Sequence, residues 1–276
     1  MARILMIAPE DSLLRALRSS PLLEGHAIDV APGEAAALRR LRREAADVVV
    51  TAPDTDLEED APVLDEVRRV RPGVRIVLLA PRTTPELVID ALRKRAFACF
   101  SAPFDASEVA DMLARAAGAD QWKDGIEVVF ATPDWISVRV NCRLLSAERL
   151  VNFLTELCSD VPETPRDDFM IAFREVLVNA MEHGGAFDPN QVVEVVAVRT
   201  ERTLVFHLRD PGPGFDLRAL PHAALGRPDD PIAVAATRAA EGRRPGGFGL
   251  LLARRIVDEM IHNERANEVI LIKHLV

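Results

Sequence analysis

Short apolar runs alternate with longer amphipathic segments along the first part of the chain. The apolar runs are Arg3 to Ile7, Ala27 to Val30, ADVVVTA, VRIVLLA and FACF, and the helical segments are Ser12 to Ser19, Glu34 to Glu44, Ala61 to Val70, Pro85 to Lys94 and Ser107 to Ala117. Apolar runs that alternate with helices are typical of a parallel sheet buried on both faces. The pattern predicts a five-stranded α/β domain over residues 1–120.

The order of elements changes after a polar, glycine-containing stretch, AGADQWKDG, between Gly118 and Gly125. From Ile126 onward the patterns predict a strand, a helix over Leu145 to Ser159, a longer helix over Arg166 to His183, the strands VVEVVAVRT and TLVFHLRD, a helix over Gly249 to Met260 and a strand over Glu268 to Lys273. Strands and helices that form separate groups are typical of an α+β domain. We therefore expect a second domain over residues 126–276.

Charge and cysteine content narrow the classes of function. The formal net charge of -9 over 276 residues would repel a phosphate backbone, so we expect no direct nucleic-acid binding. The three cysteines, Cys99, Cys142 and Cys158, are widely spaced, which suits buried thiols in a reducing compartment. Neither a signal peptide nor a membrane-spanning segment is predicted. We expect a cytoplasmic protein without a membrane partner.

The longer helix of the second domain, FMIAFREVLVNAMEHGG, places Glu175, Asn179 and His183 at successive i, i+4 positions, and therefore on one face. Its opposite side carries the apolar residues Phe169, Ala172, Phe173, Val176, Leu177 and Ala180. On its own, such a polar ridge is also what an ordinary solvated helix face presents. The helix becomes informative only beside two glycine-bearing segments.

The first of these segments, DPGPGF, runs from Asp210 to Phe215, and the second, RRPGGFG, opens the helix at Gly249. Gly212 and Gly214 would let the backbone approach a flat base closely, and Asp210 offers an acceptor for an exocyclic amine. Backbone amides at a helix start, after Gly246 and Gly247, can hold phosphate oxygens. Each segment alone is also an ordinary turn, but their order after the polar helix favours a nucleotide site.

These residues carry a resemblance to the GHKL ATPases. EVLVNAMEHG resembles the N box, DPGPGF the first glycine box, and GGFGLLLARRIVDE the second glycine box. Within that superfamily the chain resembles the anti-sigma-factor serine kinases of bacterial partner-switching systems, over residues 126–276. The resemblance implies a Bergerat-type ATP-binding α+β sandwich that uses ATP and Mg²⁺.

The resemblance also implies roles for individual residues. Asn179 would ligate Mg²⁺, Asp210 would recognise adenine, and Glu175 would be the general base for an incoming serine hydroxyl or water. The base and phosphate loops would be formed by Gly212, Gly214, Gly246, Gly247, Phe248 and Gly249. His183 would contact phosphate, although capping of helix carbonyls explains it equally well. The segment between the glycine boxes, with Arg238, Arg243 and Arg244, would cover the triphosphate.

The first domain resembles response-regulator receiver domains, on its five βα units and on SAPFDASEVADMLARA. Receiver chemistry needs an acidic pair, a phosphoacceptor aspartate, a hydroxyl and a lysine. The corresponding positions hold Ala8 and Pro9, Ala52, Leu79 and Ala102. We therefore expect a flavodoxin-like fold and a degenerate, non-phosphorylatable receiver. Phosphorylation at the nearby Asp54 is the alternative.

Two functions stay open at this point. The first is a Mg-ATP-dependent serine/threonine protein kinase that acts on an antagonist of the anti-anti-sigma type. The second is a nucleotide-gated module that sequesters a sigma factor without catalysis. A third reading, a scaffold that binds no nucleotide, leaves the loop glycines unexplained, since glycine costs stability where no special geometry requires it. The resemblance also implies a homodimer, formed through the C-terminal sheet.

Overall fold

The chain divides into two units, Met1–Asp124 and Gly125–Val276, and each unit has its own β-sheet. The computed structural model describes residues 1–7, 12–51, 61–119, 123–214 and 249–275. The predicted domains ended at residue 120 and began at residue 126, on either side of this division.

The first unit is a parallel sheet with helices between its strands. The strands are β1 (Arg3–Ile7), β2 (Ala27–Ala31), β3 (Val48–Val50), β4 (Arg75–Ala80) and β5 (Ala98–Ser101), and the helices are α1 (Ser12–Arg18), α2 (Glu34–Arg43), α3 (Ala61–Val70), α4 (Pro85–Arg93) and α5 (Ala106–Gly118). All strand pairs are parallel, in the order β2-β1-β3-β4-β5. This is the flavodoxin-like order, which confirms the predicted fold.

The central strands of this sheet are buried from end to end. Val48, Val49 and Val50 are inaccessible to solvent, and β4 is buried from Ile76 onward. A strand with helices on both faces has no polar side, so it appears in the sequence as a continuous apolar run. Helix α5 begins where the Asp105 carboxylate accepts the amide hydrogen of Ser107 at 2.7 Å.

The second unit is an antiparallel sheet with helices on one side. Its strands are β6 (Ile126–Thr132), β7 (Trp135–Asn141), β8 (Val192–Arg199), β9 (Thr203–Arg209), β10 (Glu259–His262) and β11 (Glu268–His274), and its helices are α6 (Leu144–Leu157), α7 (Glu163–Asn179) and α8 (Gly249–Ile256). The strand order is β10-β11-β9-β8-β7-β6. Helices α6 and α7 pack against each other and against the sheet, α6 on β7 and α7 on β11.

Three phenylalanine rings fix α7 over this sheet. Phe206 of β9 meets Phe169 with ring centroids 4.9 Å apart and Phe173 with centroids 5.1 Å apart, both edge to face. All three side chains are fully buried. Edge-to-face contacts between buried rings add to the free energy of burial. The polar side of α7 is therefore held at a defined distance from the end of β9.

Two elements differ from the sequence-based prediction. A single strand was expected after Ile126, but β6 and β7 form a hairpin whose turn contains Pro133 and Asp134. The last helix was expected to reach Met260, but α8 ends at Ile256 and β10 follows. Asp258 stops the helix because its amide donates to the Ile272 carbonyl at 2.9 Å, and its carboxylate accepts from the His274 amide at 2.6 Å.

No helix in the described parts of the chain is both long enough and apolar enough to cross a membrane.

Candidate functional site

The polar helix of the sequence motif is interrupted at the site. The α-helical part of α7 ends at Asn179, and a π-helical turn, Ala180–Gly184, follows it, with the Gly185 amide donating to the Ala180 carbonyl at 3.1 Å. Glu175 and Asn179 are one α-turn apart and half-buried. A π turn closes its hydrogen bond over five residues, so the helix is locally widened between Asn179 and Gly184. His183 is exposed.

Asp210 stands at the end of β9, next to this turn. Its amide donates to the Asn267 carbonyl at 3.0 Å, and its Oδ1 accepts the Gly212 amide hydrogen at 2.8 Å. Burial raises the pKa of the Asp210 carboxyl above its ordinary value, and the Gly212 amide and the nearby His183 act in the opposite direction. The structure thus holds a half-buried carboxylate in a fixed orientation.

Three glycines, which we call the glycine cluster (Gly184, Gly212 and Gly214), let the backbone close around Asp210. A Cβ at Gly184 would lie 2.5 Å from Asp210 Cβ, and one at Gly212 would lie 2.8 Å from Gly184 Cα. Both positions leave no room for a side chain. Gly214 has φ +82°, in the left-handed region, and a Cβ there would overlap the Arg265 carbonyl oxygen.

The start of α8 lies against Glu175. A Cβ at Gly249 would overlap Glu175 Oε2 and would lie 3.1 Å from Glu175 Cδ. Helix α8 packs along α7, so the first residue of the helix after the second glycine segment faces the proposed base. Of the predicted site residues, Gly246, Gly247 and Phe248 lie outside the described residues, as do Arg238, Arg243 and Arg244.

The structure therefore brings several predicted site residues together in two groups. Glu175 and Asn179 share one face of α7, with Gly249 against Glu175. Asp210, Gly212 and Gly214 form the loop after β9, which meets the end of the π turn at Gly184. His183 lies close enough to Asp210 for its charge to act on that carboxyl.

Sequence reasoning missed the residues that support this arrangement. Asn267 donates from Nδ2 to the Gly212 carbonyl at 3.4 Å, and Asn263 Oδ1 accepts the amide hydrogen of Asn267 at 3.1 Å. Together they secure the loop after β9. The only signal for them was the run HNERANE between two strands, since Asn is frequent in turns. Gly184, within the quoted EHGG, was likewise not singled out.

The proposed base also belongs to an ion-pair group that the motif did not indicate. Arg174 NH1 lies 3.1 Å from Glu175 Oε1, and Arg174 Nε donates to Glu148 Oε2 of α6 at 3.0 Å. A second bond joins Arg174 NH2 to Glu148 Oε1. The bond to Glu148 is the main reason why the pKa of the Arg174 guanidinium is raised.

In the first unit, most of the receiver positions lie outside the described residues, namely Ala8, Pro9, Ala52 and Asp54. At the ends of β3 and β4, the buried Thr51 hydroxyl accepts the Leu79 amide hydrogen at 2.9 Å. Leu79 itself is fully buried, and Ala102 is exposed. The described part of this edge is therefore tied together by a hydrogen bond between the Thr51 side chain and the Leu79 backbone.

Comparison with known proteins assigns the second unit. Residues 141–273 match the family model of the histidine kinase-like ATPase domain. The match includes α7, both glycine segments and β11. The chain thus has a C-terminal ATPase domain of this kind, with its own antiparallel sheet. None of the curated proteins compared with the chain matches it.

The first unit is similar to solved structures of response-regulator receiver domains. A CheY-like receiver domain protein from Methanospirillum hungatei JF-1 is 18% identical over 41% of this chain and 90% of that chain, with a TM-score of 0.35. A response regulator from Thermotoga maritima is 21% identical over 43% and 100%, with a TM-score of 0.36. The HemR receiver domain from Leptospira biflexa is 15% identical over 45% and 99%, with a TM-score of 0.40.

Proposed function

We propose that this chain is an ATP-binding regulatory protein of a bacterial signalling pathway. Its second unit would act as a Mg-ATP-dependent serine/threonine kinase on a small antagonist protein of the anti-anti-sigma type. The observation that carries the proposal is the Asp210 carboxylate, held in the glycine cluster beside the helix of Glu175 and Asn179. The family match over residues 141–273 supports ATP as the nucleotide.

The residues around Asp210 fit an adenine ring. Oδ1 is held by the Gly212 amide, and Oδ2 has no hydrogen-bond donor among the described residues, so it is available to an exocyclic amine. At Gly212 and Gly214 the absence of side chains lets the loop pack against Gly184 and Arg265, which fixes the backbone that follows Asp210. Because binding of an amine favours the ionised carboxylate, the raised pKa of Asp210 would oppose it at low pH.

The face of α7 fits the other end of the nucleotide. Asn179 supplies an amide oxygen, and Mg²⁺ in nucleotide sites is bound by one or two protein oxygens together with phosphates and water. Bound Mg²⁺ would neutralise charge that develops on the phosphates. Glu175 would accept the proton of the attacking hydroxyl while that oxygen bonds to the γ-phosphorus and ADP leaves with the electrons of the broken P–O bond.

The test of this proposal is titration of the full chain with ATP and Mg²⁺ by calorimetry. Asp210→Asn is expected to weaken ATP binding about 10-fold or more, because it removes a charged acceptor. Asn179→Ala should weaken binding in the presence of Mg²⁺ and have little effect when EDTA removes the ion. Asp188→Asn is the matched control, since it alters a half-buried carboxylate outside the glycine cluster. Folded wild-type protein that binds no ATP would refute the proposal.

A second candidate function is supported by the ion pair of Glu175. The ion pair with the Arg174 guanidinium, at 3.1 Å, gives the Glu175 carboxylate a structural use that requires no proton transfer. In this alternative the chain binds ATP, hardly turns it over, and sequesters a sigma factor or another regulator in a nucleotide-dependent way. The two candidates share one nucleotide site and differ in the role of Glu175.

For the first unit we propose a receiver-like domain that acts without aspartyl phosphate, as a docking domain for a partner protein. Support comes from the sequence, which has Leu79 and Ala102 where receiver chemistry needs a hydroxyl and a lysine. Leu79 is fully buried, so it contributes to the core and not to a phosphate site.

We also propose that the second unit forms a homodimer through the outer face of its sheet. The described helices α6 and α7 pack on the other face. Two rows of paired side chains cross the outer face, Ile272-Val205-Val198-Trp135 and Ile261-Ile270-His207-Val196-Ser137-Phe130. Trp135 and Phe130 are 51% and 53% exposed, and Ile261 is 48% exposed. Large exposed apolar patches mark interaction sites.

A row of charged side chains beside this patch favours a second copy of the chain as its binding partner. Across the strands it alternates in sign in the order Glu268, Arg209, Glu194, Arg139, Glu127. A two-fold interface places one surface against itself, so it must be self-complementary. When two copies of the sheet face each other with an offset of one strand, each acidic side chain of this row lies opposite a basic side chain of the other copy. The row is then self-complementary.

Sedimentation equilibrium of the full chain tests the dimer. Val196→Glu puts a charge in the middle of the apolar rows and is expected to weaken dimerisation about 100-fold, by the cost of burying an unpaired charge. Ile171→Glu, on an exposed position of α7, is the control and should leave the dimer intact. A monomeric wild-type protein, or equal effects of the two variants, would contradict this interface.

A further inference from the structure

The Glu175 carboxylate is held from two sides. Its Oε1 lies 3.1 Å from Arg174 NH1, while its Oε2 lies against the first residue of α8, where a Cβ at Gly249 would overlap it. Adjacent residues on a helix do not face each other, and the arginine of this pair is also held by a third group. That group is on another helix.

Glu148 of α6 holds the guanidinium of Arg174. It accepts from Nε at 3.0 Å and also from NH2, in the two-bond geometry that carboxylates make with arginine. The Glu148 side chain is only 12% exposed, so water competes weakly for this contact. Glu148 therefore fixes Nε and one terminal nitrogen of Arg174, and the other terminal nitrogen is directed to Glu175.

We propose that Arg174, anchored by Glu148, is a positioning residue that orients the Glu175 carboxylate so that Oε2 faces the start of α8. The inference rests on the proposed kinase function, in which the start of α8 lies at the phosphates and Glu175 takes the proton. Arg174 touches neither the nucleotide nor the hydroxyl in this scheme. Its contribution is to hold the base at the geometry that proton transfer requires.

Two features separate this role from an ordinary surface ion pair. Exposed pairs gain little, because both side chains lose conformational freedom to form them. Arg174 is instead partly buried, 28% exposed, and is bonded to two carboxylates at once. Arg166 of the same helix differs in the second feature, since its Nε pairs at 2.7 Å with the carboxylate of the adjacent Asp167 and not with Glu175.

The test measures single-turnover hydrolysis of Mg-ATP by the full chain, with water as the phosphate acceptor, and ATP affinity by calorimetry. Arg174→Ala is expected to lower the rate of hydrolysis about 10-fold to 100-fold, because a misplaced base loses catalytic geometry, while the Kd for ATP changes less than about 2-fold. Arg174→Lys should recover part of the rate, since an ammonium can pair with Glu175 but cannot form the two-bond contact with Glu148. Arg166→Ala is the matched control and should hydrolyse ATP at the wild-type rate.

A double-mutant cycle distinguishes positioning from general structural damage. In a Glu175→Gln background, Arg174→Ala should cause no further loss of rate, because there is no base left to orient. Multiplicative losses would overturn the proposal, as would ATP binding by the wild-type protein without hydrolysis.

A nucleotide-free readout separates this inference from the proposed function. The Arg174 Nε–H resonance, assigned by its loss in Arg174→Lys, should exchange slowly with solvent and should exchange faster in Glu148→Gln. Fast exchange in the wild-type protein would overturn the positioning role, whatever the ATP result. Slow exchange together with a failure to bind ATP would refute the kinase proposal but leave the ion-pair anchor established as a structural feature.

Discussion

Replacing Gly214 by alanine is expected to destabilise the second unit by about 2 to 5 kcal/mol, the sum of a left-handed backbone cost and a steric overlap. Gly214 has φ +82°, and an added Cβ would lie 2.8 Å from the Arg265 carbonyl carbon and would overlap its oxygen. Both partners are backbone, so neither can move away by changing a rotamer. The loop after β9 must shift to relieve the overlap, and Asp210 would shift with it.

Urea unfolding of the full chain, followed by far-UV circular dichroism with one transition fitted for each unit, measures this effect. Gly25→Ala is the matched control, because Gly25 has the same φ of +82° but no atom within 4 Å of an added Cβ. Gly25→Ala should lower the free energy of unfolding of the first unit only by the cost of the left-handed backbone, about 1 to 2 kcal/mol. Equal losses in the two variants would show that the contact between Gly214 and Arg265 is not a constraint on the fold.

The first unit could be predicted almost completely from its apolar pattern. Strands buried on both faces, such as Val48–Val50, have no polar positions, and among the helices α4 and α5 begin at the capping side chains of Thr84 and Asp105. Local sequence pattern and tertiary burial therefore favour the same secondary structure. Where the two agree, a helix or strand can be predicted without knowledge of the elements that pack against it.

The second unit was harder because some of its elements are decided by distant contacts. Ala253, Ile256, Val257 and Met260 have helical spacing, which explains the expectation of a helix up to Met260. The chain leaves the helix because Asp258 bonds to Ile272 and His274 of β11. Apolar spacing alone does not reveal such a competing hydrogen bond.

The candidate site likewise contains some residues that a local motif predicts and others that only the packed structure reveals. Glu175, Asn179, Asp210 and the glycines are neighbours within short motifs, so their types and spacing could be recognised in the sequence. The π turn after Asn179 and the anchoring of Arg174 by Glu148, 26 residues away, arise only when the helices pack. The sequence therefore predicted the groups that we propose to contact a nucleotide, but not the residues that we propose to orient them.

Glu175→Gln is expected to abolish most phosphate transfer, by about 100-fold to 10,000-fold, while ATP affinity stays within a few-fold of the wild type. Glutamine keeps nearly the same shape beside Gly249 and can still accept from Arg174, but it cannot take up a proton. The measurement is single-turnover release of labelled phosphate from Mg-ATP, together with calorimetric ATP binding. Glu182→Gln, in the π turn of the same helix segment, is the control for loss of a nearby carboxylate and should retain the wild-type rate.

This experiment also decides between the two candidate functions, because they differ only in the role of Glu175. In a kinase, Glu175→Gln binds ATP but fails to transfer phosphate, whereas Glu182→Gln binds ATP and also transfers phosphate. In a sequestering module, the wild-type protein and both variants bind ATP alike and none of them releases phosphate at a measurable rate. Full hydrolysis by Glu175→Gln would contradict the assignment of the base, and the search for the proton acceptor would then move to residues 215–248, between the two glycine segments.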